Sequence, residues 1–239
     1  LPMFDGPAID EQPRAVVDCG AGDGTVLCEL YAAIRERTGR GAALESHPLT
    51  MVGVEYNPVA ERVLAGRLDA AGVPNLVFSG DVGDPAAIAA RLGEHGFAPD
   101  DVLHVSKSVF HNRTHRGTAG AVAGTSRGAF VRPGGGLLAA GEVEADLQVL
   151  FADWAAHLGR HGMIVIEAHI VAPELTTARL GRSVVTSLEA SHGYSHQYLL
   201  EIDAHRAAAA RAGLRTVAAR EFGAPFAGAP IMSIDHYAA

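Results

Sequence analysis

The residues best equipped for chemistry start at Asp18-Cys19-Gly20-Ala21-Gly22-Asp23-Gly24, a carboxylate followed by glycines at alternate positions. Glycine lets a turn bend sharply and lets a ligand lie against bare backbone. Two further acids close apolar runs: Glu55 after Met51-Val52-Gly53-Val54, and Asp81, followed by Val82, after Leu76-Val77-Phe78-Ser79-Gly80. A carboxylate at the second place can accept hydrogen bonds from both hydroxyls of a ribose. An acid beside an apolar residue suits the amino edge and the face of an adenine. Taken together, the three acids describe an adenosine site.

A second set is rich in imidazole. Among the 12 histidines, His104, His111 and His115 lie close together, and His192 and His196 stand four apart beside Gln197. On a helix, that spacing puts two imidazoles on one face, where they can share an ion. Imidazole with amide oxygen suits iron or manganese with open positions better than structural zinc. His111, His192, His196 and Gln197 are therefore the candidate metal set, although solvated or core histidines would read the same way. His169 ends an apolar run and is a candidate base or ligand. Lys107 and Arg113 are candidate holders of a carboxylate or a phosphate.

The elements that must position these groups alternate. Ala15–Cys19 reads as a strand, with the glycine turn after it and a helix reaching Arg37, stopped by Thr38-Gly39-Arg40-Gly41. Strand two is Met51–Glu55, and a helix runs from Pro58 to about Ala71 with Val59, Val63, Leu64 and Leu68 on its inner face. Strand three leads to Asp81, a helix follows from Asp84-Pro85 to Leu92, and strand four is Asp101–Val105. The glycine-rich stretch 114–141 reads as a long mobile loop, placed where a lid would close over substrate. Helical periodicity returns from Glu144 to Gly159, with Leu147, Leu150, Phe151, Trp154 and Leu158 facing inward, and residues 162–170 form strand five. Residues 173–213 read as a helical insertion broken at Ser191-His192-Gly193-Tyr194. Arg215–Phe222 and Pro230–His236 form a closing hairpin. The pattern predicts an α/β, doubly wound, mostly parallel Rossmann-like sheet with an antiparallel last strand. Residues 1–13 read as a leader and 14–239 as a single domain. The early first strand suggests that the natural chain extends upstream.

Composition narrows the partners. The 239 residues carry a net charge of −8, which disfavours nonspecific binding to nucleic acid or anionic membrane. No apolar run approaches the roughly 18 residues of a membrane span, and no basic n-region marks a signal peptide. Two cysteines, Cys19 and Cys28, flank one turn and read as reduced thiols, which points to a cytoplasmic protein.

The turn also chooses between cofactors. A dinucleotide site needs a further glycine three positions after the second, so that the helix can approach a pyrophosphate. Leu27 and Cys28 fill that region here, and Asp23 would repel a pyrophosphate while welcoming a sulfonium. Val17–Gly24, Gly53–Asn57 and Ser79–Val82 resemble the successive motifs of class I S-adenosylmethionine-dependent methyltransferases. The resemblance implies a seven-stranded sheet, with cofactor contacts from Asp18, Gly20, Ala21, Gly22 and Asp23, ribose contacts from Glu55, and adenine contacts from Asp81 and Val82. Tyr56 and Ser106 join the cofactor set, and the long connection 38–50 lengthens the surface without altering the site. Leu103–Arg113 and Ser191–Tyr198 are similar to metal-dependent C-methyltransferase domains of polyketide synthases that methylate a malonyl-type unit. That likeness implies an acyl carrier protein as partner, a place in a larger megasynthase, and His111, His169 and Lys107 as catalytic residues. Where that family carries acids, Asn112 and His196 stand here. The alternatives are a metal-free small-molecule O- or N-methyltransferase, a nicotinamide-dependent oxidoreductase and a noncatalytic scaffold module.

Overall fold

The computed structural model describes residues 1–117, 120–182, 184–223 and 229–239, the side chains of Val185 and Tyr194 excepted. Its elements run β1 (Ala15–Cys19), α1 (Thr25–Arg37), β2 (Thr50–Glu55), α2 (Pro58–Ala70), β3 (Asn75–Ser79), α3 (Pro85–Glu94) and β4 (Val102–Lys107). There follow β5 (Phe130–Val131), β6 (Leu137–Leu138), α4 (Ala140–Ala155), β7 (Met163–Ala168), α5 (Pro173–Ala178), α6 (Val185–Tyr194), α7 (Ile202–Arg211), β8 (Arg215–Gly223) and β9 (Pro230–Ala238). Seven strands pair in the order β3-β2-β1-β4-β7-β9-β8, mostly parallel with antiparallel last strands. That is the mostly parallel, Rossmann-like sheet the alternating pattern predicts, with the seven strands the resemblance implies. Among the described residues no helix is long and apolar enough to cross a membrane.

The chain forms two compact units. The first comprises residues 1–107 with 157–164 and 238. Its β1 is buried along its whole length and pairs in parallel with β2 and β4, so Asp18 lies beside Gly53 and Val105. A core of Val16, Leu27, Ile34, Met51, Leu64 and Leu103 lies beneath. Gly53 lets α2 settle on β2, because a Cβ there would stand 2.5 Å from Leu64 Cδ2. Val59 and Val63, expected on the inner face of α2, are 57% and 50% exposed. Leu64 and Leu68 alone carry that face inward. The connection 38–50 is more than surface. It buries the Arg40 guanidinium, which donates to the carbonyls of His47 and Pro48 and to Gln12 Oε1.

The second unit comprises residues 108–156 with 165–237 and 239. Helix α4 buries Leu147, Leu150, Phe151 and Trp154, as its periodicity predicts, and Phe151 stacks on Phe110 with ring centroids 5.1 Å apart. Leu158, expected to continue that face, lies beyond the end of α4 and is only partly buried. The glycine-rich stretch is not a free loop across its described part. It contains the β5–β6 pair, and the backbone N–H groups of Thr125 and Ser126 donate to Glu144. Thr118 and Ala119, also within that stretch, lie outside the described residues. The helical insertion is three helices rather than two, and α6 runs through the expected break at Ser191–Tyr194.

Candidate active site

In the first unit the glycine turn is held open by left-handed backbone at Gly20, Gly22 and Gly24, with φ of 82°, 56° and 81°. Side-chain-bearing residues resist that conformation. Gly22 N donates to Glu55 Oε2 at 2.8 Å, while Tyr56 N and Asn57 N donate to Oε1 at 3.0 Å each. The carboxylate expected to hold a ribose is thus locked to the turn. Its two oxygens offer about four lone-pair sites, of which three are used. Asp81 Oδ1 accepts from Gly83 N and holds a tight turn after β3, with Val82 inside it. Ser106 is buried at the end of β4 with its hydroxyl 3.4 Å from the Cys19 carbonyl. Tyr56 is 77% exposed, so it acts as a cover only with a ligand beneath it.

One expectation for this unit changes. The Asp23 carboxylate accepts from Thr25 N at 3.1 Å and pairs with Arg67 at 2.8 Å, and the hydrogen bonds from Thr25, with Arg67 adding to them, lower its pKa. It is tied to the first backbone N–H of α1 and to Arg67 instead of being left for a cation in the turn. Asp18, at the end of β1, is the carboxylate of this turn without such a partner. Asp18 is 1% exposed, and its Oδ1 has no partner among the described residues. Burial raises the Asp18 pKa to about 7, against the pull of Lys107 and with a further push from Glu55. A buried, unpaired carboxylate oxygen is costly unless a ligand donor meets it. Lys107 is exposed, and its charge acts on Asp18.

One measurable consequence concerns cofactor binding. A cationic ligand binds ionised Asp18, so a proton must leave wherever pH lies below about 7. Affinity for S-adenosylmethionine should therefore rise about tenfold between pH 6 and 8 in calorimetric titrations. Asp18→Asn should bind more weakly and show only the ligand's own titration. A rise of equal size in the variant would place the proton elsewhere.

In the second unit, His111 Nδ1 lies 2.5 Å from Glu167 Oε1. Glu167 Oε2 accepts from His111 N at 3.1 Å, and Oε1 also accepts from Ala168 N at 2.8 Å. Three donors converge on the 1% exposed Glu167 carboxylate, the imidazole among them when its proton sits on Nδ1. In that tautomer the Nε2 lone pair is the one a substrate can meet, the arrangement of an oriented general base. Ser108, in left-handed backbone at φ 56°, turns the chain just before this pair. Glu167 escaped attention in the sequence because it sits inside the apolar run Met163–Ala168. An acid in a buried strand was the available signal.

The remaining candidates fare differently. His192 packs edge-on against His111 with ring centroids 5.7 Å apart, and its Nδ1 donates to the Leu188 carbonyl. Gln197 donates to Asn112 Oδ1 at 3.3 Å. His196 does not share a helical face with His192, because α6 ends at Tyr194 and His196 has φ 57°. It is also exposed. Among the described residues no three His, Cys, Asp or Glu side chains gather as a metal site. Arg113 is not available to an anion. It is buried, and its guanidinium donates to Asp146 Oδ2 at 2.7 Å and to the carbonyls of Phe110 and Val143. His169 is likewise engaged, with Nδ1 on the Leu200 carbonyl and Nε2 on Ser233 Oγ, and burial lowers its pKa. It positions backbone rather than meeting a substrate.

This geometry can be set beside known proteins. No curated protein sequence matches the chain. A solved structure described as a pericyclic reaction enzyme is similar over 99% of this chain and 46% of its own, with 9% identity and a TM-score of 0.55. LepI in complex with S-adenosylmethionine is similar over the same shares at 8% identity and a TM-score of 0.56. A Leishmania major S-adenosylmethionine-dependent methyltransferase aligns over 95% of this chain and 65% of its own, at 12% identity and a TM-score of 0.50. At such identities the likeness speaks for the fold, and the chain spans less than half of the first two structures. The model of the AprA MT2-like domain matches residues 1–228, so this chain is a methyltransferase domain and belongs to the AprA MT2-like family.

Proposed function

We propose that this domain transfers a methyl group from S-adenosylmethionine to a carbon of an acyl group held as a thioester on a carrier protein in a polyketide-type synthase. The observation that carries the reading is the His111–Glu167 pair. Oxygen and nitrogen nucleophiles already offer a lone pair, whereas carbon must first lose a proton. A buried imidazole with one nitrogen fixed by a carboxylate and the other free is suited to that step.

The turn of the first unit fits the cofactor. Asp18 Oδ1 awaits a donor, the glycines leave backbone bare, and Glu55 retains acceptor capacity beside them. When bound, S-adenosylmethionine supplies an electrophilic methyl on a sulfonium. Glu55 would accept from ribose hydroxyls, Asp81 and Val82 would meet the adenine, and Asp18 would face the cationic portion. At the substrate, His111 Nε2 takes the proton on the carbon next to the thioester carbonyl. Glu167 holds the resulting imidazolium in place, and the carbon's electron pair would form the new bond to methyl as the methyl–sulfur bond breaks and its electrons return to sulfur. The residues present do not fit iron or manganese, since His196 leaves the expected face, so no step is drawn through a metal.

The test is intact-mass analysis of acyl-loaded carrier protein after incubation with the domain and S-adenosylmethionine. A gain of one methyl on the acyl group is expected. Methylation of free alcohols or amines with no gain on any carrier-bound acyl group would replace this reading with the O- or N-methyltransferase alternative.

A further inference from the structure

The second unit contains a cavity of about 830 Å³ that the histidine pair does not itself explain. His192, edge-on to His111, and Gln197 stand in its wall, so the base and the cavity are neighbours within one unit. The wall is chiefly apolar, with Phe130, Val131, Ile170, Val171 and Leu199 contributing.

Its arginine and its glutamate are already paired. Arg127 pairs with Glu174, and its backbone N–H donates to Glu201. Glu189 accepts from Val171 N at 3.1 Å and from Thr176 Oγ1 at 2.9 Å. A ligand carboxylate entering here would meet Glu189 and a cation that is already neutralised, and it would lose its water without compensation. One wall group lacks a partner: Thr186 Oγ1 is shielded from solvent and makes no hydrogen bond among the described residues.

Size, polarity and the lone hydroxyl agree. Cavities of this volume enclose ligands of drug-like size, far larger than a malonyl unit. We infer that the cavity receives an extended, uncharged acyl chain bearing one oxygen substituent that meets Thr186, so the domain acts on an elongated intermediate rather than on a malonyl-type unit. The inference rests on the carrier-bound acyl reading given above. A reaction that extends and partly reduces an acyl thioester must then precede this one.

Binding, measured without turnover, tests it separately from the base. Malonyl-, butyryl-, octanoyl- and 3-hydroxyoctanoyl-pantetheine are titrated into the domain by calorimetry. Octanoyl should bind at least about tenfold more tightly than malonyl or butyryl, because each buried methylene adds affinity. The 3-hydroxy chain should gain several-fold more, and Thr186→Val should erase that gain while leaving octanoyl unchanged. Ala190→Phe, at an exposed helix position lining the cavity, should weaken octanoyl and spare butyryl. Malonyl binding as tightly as octanoyl, or chain-length preference surviving Ala190→Phe, would overturn the assignment. Tight octanoyl binding with no methyl transfer would instead remove the catalytic reading and leave the cavity assignment intact.

Discussion

Glu167→Gln is expected to slow methyl transfer by about 10²–10⁴-fold, with the affinity for S-adenosylmethionine nearly unchanged. The reason lies in the donor count at that carboxylate. Glu167 accepts from His111 Nδ1, His111 N and Ala168 N, and glutamine can present an oxygen on one side only. If the amide NH2 faces the ring, Nδ1 becomes the acceptor and the proton moves to Nε2, so the base is lost. If the oxygen faces the ring, the NH2 opposes the His111 backbone N–H, and the loop carrying the imidazole shifts. Neither arrangement leaves a free Nε2 lone pair in place. His111→Ala should show a loss of the same order, partly restored by added imidazole, which a purely structural role would not allow. The second readout is exchange of the substrate's α-proton with deuterated water in the absence of S-adenosylmethionine. Wild type should exchange it and Glu167→Gln should not. Unimpaired exchange in the variant would assign deprotonation to another group.

This pair also marks the boundary of what was legible in the sequence. The strand, glycine turn and helix at residues 15–37 could be read directly because each signal is local. β1 is a short apolar run, and Gly20, Gly22 and Gly24 do adopt the left-handed backbone such a turn requires. Asp18 and Glu55 could be singled out for the same reason, since strand ends in an open α/β sheet are where ligands are met. Distant partners were not legible. Arg67 takes Asp23 from 44 positions away, and Asp146 takes Arg113 from 33, so two groups that looked free for a ligand are committed to the fold. Glu167 lies 56 positions from His111 and carries no local mark of its role. The His192–His196 spacing failed because i, i+4 implies a shared face only while the helix lasts. The chain there turns left-handed at His196, with no proline to announce the end. Val59 and Val63 show the converse, being apolar residues at helical spacing that solvent tolerates.

Arg113 supports the second large effect, on stability. Its guanidinium and the Asp146 carboxylate are each 3% exposed, and Arg116 N donates to the other oxygen of Asp146 at 2.8 Å. Burial lowers the Arg113 pKa, and the charge and hydrogen bond of Asp146 oppose that shift. Removing one partner strands the other charge where water cannot reach it. Arg113→Met should therefore cost about 3–5 kcal/mol, a large share of the 5–15 kcal/mol that holds a typical domain. Urea unfolding should show a lower midpoint with an unchanged slope. Pairing the change with Asp146→Leu should recover most of the loss, because a buried ion pair is about as stable as apolar side chains of similar volume. Recovery of stability need not bring back activity. Arg113 also donates to the Phe110 carbonyl, one residue before the proposed base, and methionine cannot. The double variant should therefore unfold almost like wild type and still transfer methyl more slowly. A single variant that loses less than about 1 kcal/mol would show that water reaches the pair, since that is the range of exposed ion pairs.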